Sequence, residues 1–547
     1  MACHTVRLNH AQVSQFNQQI RRSRTSRGLT RALLMVAVFF AANNANDVSA
    51  ASVWGNLKPG PYRVGFRTIL TYDLSRAPLG DQSTGPKFAL GRQMQINIWY
   101  PARATSHASD MRFRDYVHLL VQEIDFSPLN AERKKQSESK FIEQPSDLGG
   151  DVNRLKESLP AILALEMAAI RNAPAIGGRF PLLVFPDFRA PATNSIMSEF
   201  LASHGFVVAT TSLKGTHEAE FDVGVTGIET IAADIGFLIA TVKTQSVVNP
   251  ERIALMGVGI TASGALAFTT RNPEVDALVS LDGGIPTSFE DRLLKRTPYF
   301  DLAAVRVPIL GIHAPHPNVD PAIFNQYKYS TRHVIHFPKM SEFHFLNYGM
   351  LERFAPGIIG KPPGDTQAGF EGASLYVLNF LKAYLKGDQP SRQFLYQPPT
   401  GASGLVTVDT KPALEAPPRL SELKSLVRQG GTESVVAVYQ RLKQKDPQPF
   451  SQETFVSLYS WLSFQRDADW KGRRALSLLR VDSYPDSSRA HFTMAQVFLQ
   501  LRETESARKH FKEALRLLGT DSDPLLDLQT RTRIEAAATR ELKNLEG

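Results

Sequence analysis

From Phe180 onward the chain alternates short apolar runs with longer segments of helical period, and this rhythm restricts the fold more than any other feature. RFPLLVFP, GFVVATTS, RIALMGV, VDALVSLDG and VPILGIHA have strand length and are too continuously apolar for strands with one wet face. Segments such as ETIAADIGFLIATVKTQ separate them, with apolar residues three and four positions apart. Strands buried on both faces and joined through helices form a mostly parallel sheet with helices on either side, so the predicted class is α/β. Upstream, GPYRVGFRTILTYDLS and GRQMQINIWYPA add strands, the second marked by Met94, Ile96, Ile98 and Tyr100 alternating with their neighbours. Residues 110–172 change character. VHLLVQEI and RLKESLPAILALEMAAIR carry apolar residues at helical spacing, which predicts a helical insertion and a candidate lid.

A chain of 547 residues exceeds one core, and two to four domains are expected. The segment 396–420, within YQPPTGASGLVTVDTKPALEAPPRL, is rich in proline and lacks periodicity, which predicts a linker after an α/β domain spanning 55–395. Residues 421–547 read as helical throughout. Ala495, Phe498, Ala507, Phe511 and Ala514 resemble the small and aromatic positions of a tetratricopeptide repeat, where two helices cross closely. Val435, Tyr439, Leu442 and Pro447 repeat the second-helix spacing, and Ala475 with Leu479 suggests another copy. A generic helical bundle is the alternative; either is a stacking or binding module that offers a protein partner a surface.

The first fifty residues explain most of the basic balance. They hold six arginines and one aspartate, which supply +5 of the formal charge of +9, and no basic run with interleaved aromatics follows, so nucleic acid is not an expected partner. RRSRTSRGLTR is a cationic region, Ala32–Ala42 is apolar, and Val48-Ser49-Ala50 is a small-residue cleavage pattern. Together they predict a secretory signal over 1–50 and a periplasmic or secreted protein with no membrane span once it is removed. An uncleaved anchor is the alternative, although an apolar run of 11 residues is short for a span. Cys3, the single cysteine, lies in this segment, which removes disulfides and thiolate catalysis from the remainder.

IALMGVGITASGALAF, residues 253–268, has the pattern of a strand, a sharp turn and a helix that presents a nucleophile, G-x-S-x-G. Two registers are open. In the first, Gly257-Val258-Gly259-Ile260-Thr261 is the turn and Gly259 stands where serine belongs. In the second, Gly259-Ile260-Thr261-Ala262-Ser263 is the turn and Thr261 is the nucleophile. The flanks favour the first, since RIALMG is the strand expected to enter the turn and VSLDG the strand that follows. A β-branched threonine also suits the strained turn poorly. Ser263 falls one turn into the helix.

With GPYRVGFRT, INIWYPA, FPLLVFP, LASHGFVVA, RIALMG and VSLDG as carriers, residues 58–390 resemble the platelet-activating factor acetylhydrolase and dienelactone hydrolase-like group of α/β-hydrolases. The resemblance implies an α/β-hydrolase fold, an acid at Asp282, a base at His344 in SEFHFLN, and oxyanion donors at the backbone N–H groups of Ile260 and Arg189. It also implies His-Gly where this chain has Asp187-Phe188, so the oxyanion loop departs from the pattern together with the nucleophile. His313 is expected to pack in its strand, and His204 to end a helix. Without a serine Oγ there is no acyl-enzyme step. The first expectation is therefore a catalytically degenerate hydrolase fold. The alternatives are an ester or lactone hydrolase using Thr261 or a water activated by His344, and an interaction scaffold acting through the helical repeats. A small ester or lipid-like ligand is the expected small-molecule partner. No metal or cofactor is expected, because metal-ligand spacings and phosphate-cradling loops are missing.

Overall fold

The computed structural model describes residues 52–79, 91–103, 110–123, 125–298, 300–316, 318–396, 405–464, 469–523 and 526–546; the signal segment and Cys3 lie outside them. The described strands are β1 (Arg63–Asp73), β2 (Arg92–Ala102), β3 (Asp110–Arg112), β4 (Glu166–Arg171), β5 (Phe180–Val184), β6 (Val207–Thr210), β7 (Val248–Val258), β8 (Ala277–Leu281), β9 (Ile309–His313), β10 (Arg332–His336) and β11 (Thr407–Lys411). They form one sheet in the order β11-β10-β9-β8-β7-β5-β6-β2-β1-β4-β3. From β6 to β10 all neighbours run parallel, and β2 joins β6 antiparallel. This is the α/β architecture expected of a hydrolase fold.

The central strands feed two cores. Leu183, Ala254, Met256 and Val258 pack on one face, with α3 (Ser195–Ser203) and α6 (Thr366–Leu385). Leu182, Val184, Ile253 and Leu255 pack on the other, with α4 (Val225–Val242) and α5 (Ile260–Arg271). Side chains two apart share a face, so burial on both sides demands the continuous apolar runs seen in the sequence. Among the described residues α4 alone is long and apolar enough to cross a membrane; Ile228, Ile231, Ile235 and Leu238 are buried in the sheet-facing core.

Three expectations change. β2 was expected to alternate, but every residue in it is buried, Gln93, Gln95 and Asn97 included. Those amides are satisfied internally: Gln95 donates to the Leu119 carbonyl and Asn97 to Gln95, while Gln93 accepts from Leu79 N–H. Second, residues 110–172 are not helical throughout. Helices α1 (Ala131–Asp147) and α2 (Val152–Leu163) lie between β3 and β4, and β4 pairs parallel with β1. LEMAAIR suits either period, and the open edge of β1, with its row of unpaired N–H and C=O groups, decides for strand. Third, the predicted linker supplies β11, antiparallel to β10. Of that segment, 397–404 lie outside the described residues.

The tail is helical: α7 (Leu420–Lys443, broken at Gly430–Gly431), α8 (Gln452–Ser463), α9 (Trp470–Ser483), α10 (Ser488–Gln500), α11 (Thr504–Leu517) and α12 (Leu528–Glu546). Ala495, Phe498, Ala507, Phe511 and Ala514 are all buried, as are Val435, Tyr439 and Leu442. Leu476, rather than its neighbour Ala475, joins that core. Both parts belong to the compact unit Ala50–Gly547. Asp446 joins them, accepting from Lys328 Nζ at 2.6 Å and from the Tyr329 hydroxyl at 2.7 Å, and Arg306 donates to the Pro417 carbonyl.

Candidate functional site

β7 ends at Val258 and α5 begins at Ile260, so the turn between them is Gly259 alone. Its φ of +52° and ψ of −130° lie where a side chain is strained, and its N–H donates to the Asp282 carbonyl at 2.8 Å. A Cβ at Gly257 would stand 2.3 Å from the Ala262 nitrogen, which explains the glycine two residues earlier. The backbone therefore adopts the first register. Thr261, the alternative nucleophile, is fully buried in the first turn of α5; its hydroxyl donates to the Val258 carbonyl at 2.9 Å and accepts from the Val258 N–H at 2.6 Å. That engagement caps the end of β7 and takes the hydroxyl out of attack. Ser263 lies deeper in the same helix, buried.

Asp282 and His344 both reach this end of the sheet, yet they do not form the expected acid–base pair. Asp282, 2% exposed, follows β8 with a positive φ of 29°, and its Oδ1 accepts the Ala314 N–H at 2.9 Å. Burial pushes its carboxyl up to about 7. The His344 Nδ1 lies 2.6 Å from the Ser341 hydroxyl, and its Nε2 has no hydrogen-bond partner among the described residues. Burial pushes the imidazole down to about 4, so it is neutral and a weak base near pH 7. The physical cause of the correction is local: a hydroxyl three residues back on the same loop takes the histidine, and the β9 end takes the acid.

The oxyanion positions divide. Ile260 opens a helix, and its N–H belongs to the first-turn donors that have no partner within the helix. On the other loop, Asp187 accepts the neighbouring Phe188 N–H at 2.7 Å and the Thr193 hydroxyl. Arg189 turns its guanidinium to the Lys140 carbonyl on α1. The Asp187-Phe188 departure thus ties the loop to itself and to the insertion. Tyr348, whose hydroxyl meets Gln144 at 3.0 Å, adds a second contact between α1 and this end of the molecule.

The residue missed from the sequence is Glu342. A Cβ at Gly259 would lie 2.7 Å from its Oε1, so the carboxyl end would have to shift to admit it. Burial, with the nearby charges of Asp282, Glu290 and Asp187, pushes the Glu342 carboxyl up to about 8. Asp282, Glu290 and Glu342 line a cavity of about 110 Å³ together with Thr287, Phe289 and His316. Larger clefts of about 360 and 730 Å³ lie at the junction with the helical tail, bordered by Asn272 and Thr454 in one and Leu302 and Tyr484 in the other. His313 is packed at the end of β9 with its Nδ1 3.2 Å from His336, and His204 caps α3 and meets the Lys58 carbonyl. Among the described residues no three His, Cys, Asp or Glu side chains converge as metal ligands.

No protein-family model and no curated protein matches the chain. Among solved structures it is similar to a ferulic acid esterase from Streptomyces cinnamoneus, at 17% identity and a TM-score of 0.45, over 66% of this chain and 98% of that one. A likeness this low says nothing about activity, and the fold rests on the sheet order and the elbow.

Proposed function

We propose that this chain is an exported α/β-hydrolase-fold protein, of the acetylhydrolase and dienelactone hydrolase-like kind, that has kept the elbow and lost acyl-enzyme chemistry. Gly259 carries this reading: it holds the nucleophile's backbone conformation with no atom that can attack a carbonyl. The two rescues have little to work with. Thr261 spends its hydroxyl on Val258, and His344, held by Ser341 and pushed to about 4, is a poor activator of water. Residues 421–547, read as tetratricopeptide-like repeats, give the protein a surface for a protein partner.

The test is hydrolysis of 4-nitrophenyl acetate by the full chain beside His344→Ala. Both are expected to run at the buffer rate with no burst. Turnover in the parent that disappears in His344→Ala would end the reading. Export is checked by sequencing the N-terminus of secreted protein, with cleavage after Ala50 expected.

A further inference from the structure

We propose that Glu342 has taken the place of the missing nucleophile side chain, so that this elbow presents a carboxyl where a serine hydrolase presents a hydroxyl. The inference deepens the reading above and rests on it.

The geometry is specific to one position. Gly283 and Gly284, each with positive φ, pack against the turn, where added Cβ atoms would stand 3.0 Å from the Gly259 Cα and 2.5 Å from the Gly259 carbonyl; Glu342 Oε1 would lie 3.8 Å from the one at Gly283, farther than from one at Gly259. The side on which residue 259 would project its own Cβ is the side that Glu342 holds, with Oε1 at 2.7 Å and Cδ at 4.0 Å. A carboxyl end in this position and a side chain at 259 compete for that volume, and one must shift for the other to enter. Glu342 is delivered by the turn Glu342–Phe345, which also carries His344. The loop that bears a base in related folds here supplies the occupant.

Competition for one place predicts coupling between the two positions. In a Cys3→Ser background, Gly259→Cys puts the chain's sole thiol at the elbow, and iodoacetamide then reads how much room it has without requiring catalysis. Alkylation is expected to be slow in Gly259→Cys and about tenfold faster in Gly259→Cys/Glu342→Ala, because removal of the carboxyl both opens the space and eases ionisation of the thiol. Glu290→Ala, which removes another carboxyl from the same cavity, is expected to leave the rate within about twofold. A double-mutant cycle gives a second readout. Gly259→Ala carries the same backbone strain with or without Glu342, so a melting-temperature penalty that shrinks by roughly 2 °C in the Glu342→Ala background isolates the contact.

Equal alkylation rates in the single and double variants, or an additive cycle, would overturn the proposal even with the chain catalytically silent. His344-dependent ester turnover by the parent would instead overturn the function it rests on, whatever the alkylation rates.

Discussion

Two glutamates, one fully buried and one half-buried, show how differently one side chain serves in this molecule. Glu199, on α3, is fully buried and meets four donors: the Tyr116 hydroxyl at 2.6 Å, the Ala168 and Ala169 N–H groups at 2.9 and 3.2 Å, and Trp54 Nε1 at 3.3 Å. Those donors come from the N-terminal segment, the insertion and β4, so one carboxyl ties three separate pieces of chain to the sheet. Glu342 is half-buried, and no hydrogen bond acts on its carboxyl; burial and neighbouring acids act alone. Burial raises both, Glu199 to about 7 against its donors and Glu342 to about 8. A buried acid with a complete donor set serves structure, while one kept among other acids without donors marks a site maintained at a cost to stability.

Removing the donor-rich member should have the larger effect. Glu199→Ala is expected to cost about 3–5 kcal/mol in chemical denaturation, because it strands two backbone N–H groups, a phenol and an indole. A cost below about 1 kcal/mol would erase the contrast.

Glu342→Gln should act in the opposite direction and with pH. The unfolded glutamate releases its proton near its ordinary 4.5, and the folded one only near 8. Between these values the native state holds the extra proton, so stability falls as pH rises through the window. Asp282 and Asp187, raised to about 7 and about 6, add to the same slope. His344, His313, His333 and His204, all pushed down to about 4, work the other way, losing stability as pH falls from 6.5. Above about pH 7 the carboxyl slope dominates, opposed near pH 8 by Lys386, which burial pushes down to about 8, and thermal melts are expected to decline between pH 7 and 8. Glu342→Gln should recover about 2 kcal/mol at pH 8 and nothing at pH 4.5. An unchanged slope in that variant would place the raised group elsewhere.

The smallest effect tests the elbow itself. Thr261→Val keeps the shape and removes the hydroxyl that serves Val258, and a loss of about 1 kcal/mol with no change in ester hydrolysis is expected. Loss of a measurable esterase rate in this variant would restore threonine as a nucleophile.

The sequence by itself determined what depends on neighbours along the chain. Continuous apolar runs specified strands covered on both faces, and the glycines of GVG specified a turn too tight for side chains, which placed Gly259 at its apex. The amphipathic tail specified helices, with Ala495, Phe498 and Phe511 inside. Tertiary structure decided whatever depends on a choice between partners. LEMAAIR became strand because β1 offered an open edge, and part of the proline-rich segment became β11 because β10 offered another. Asp282 and His344 came to the same end of the sheet in the order read from the sequence, but Ala314 and Ser341 reached them first. Glu342 carries no signal in SEFHFLN, because its place beside Gly259 arises only when two loops more than eighty residues apart close on one another. Local pattern records which backbone a residue adopts; which groups meet across a cavity is settled by the packing that brings distant loops together.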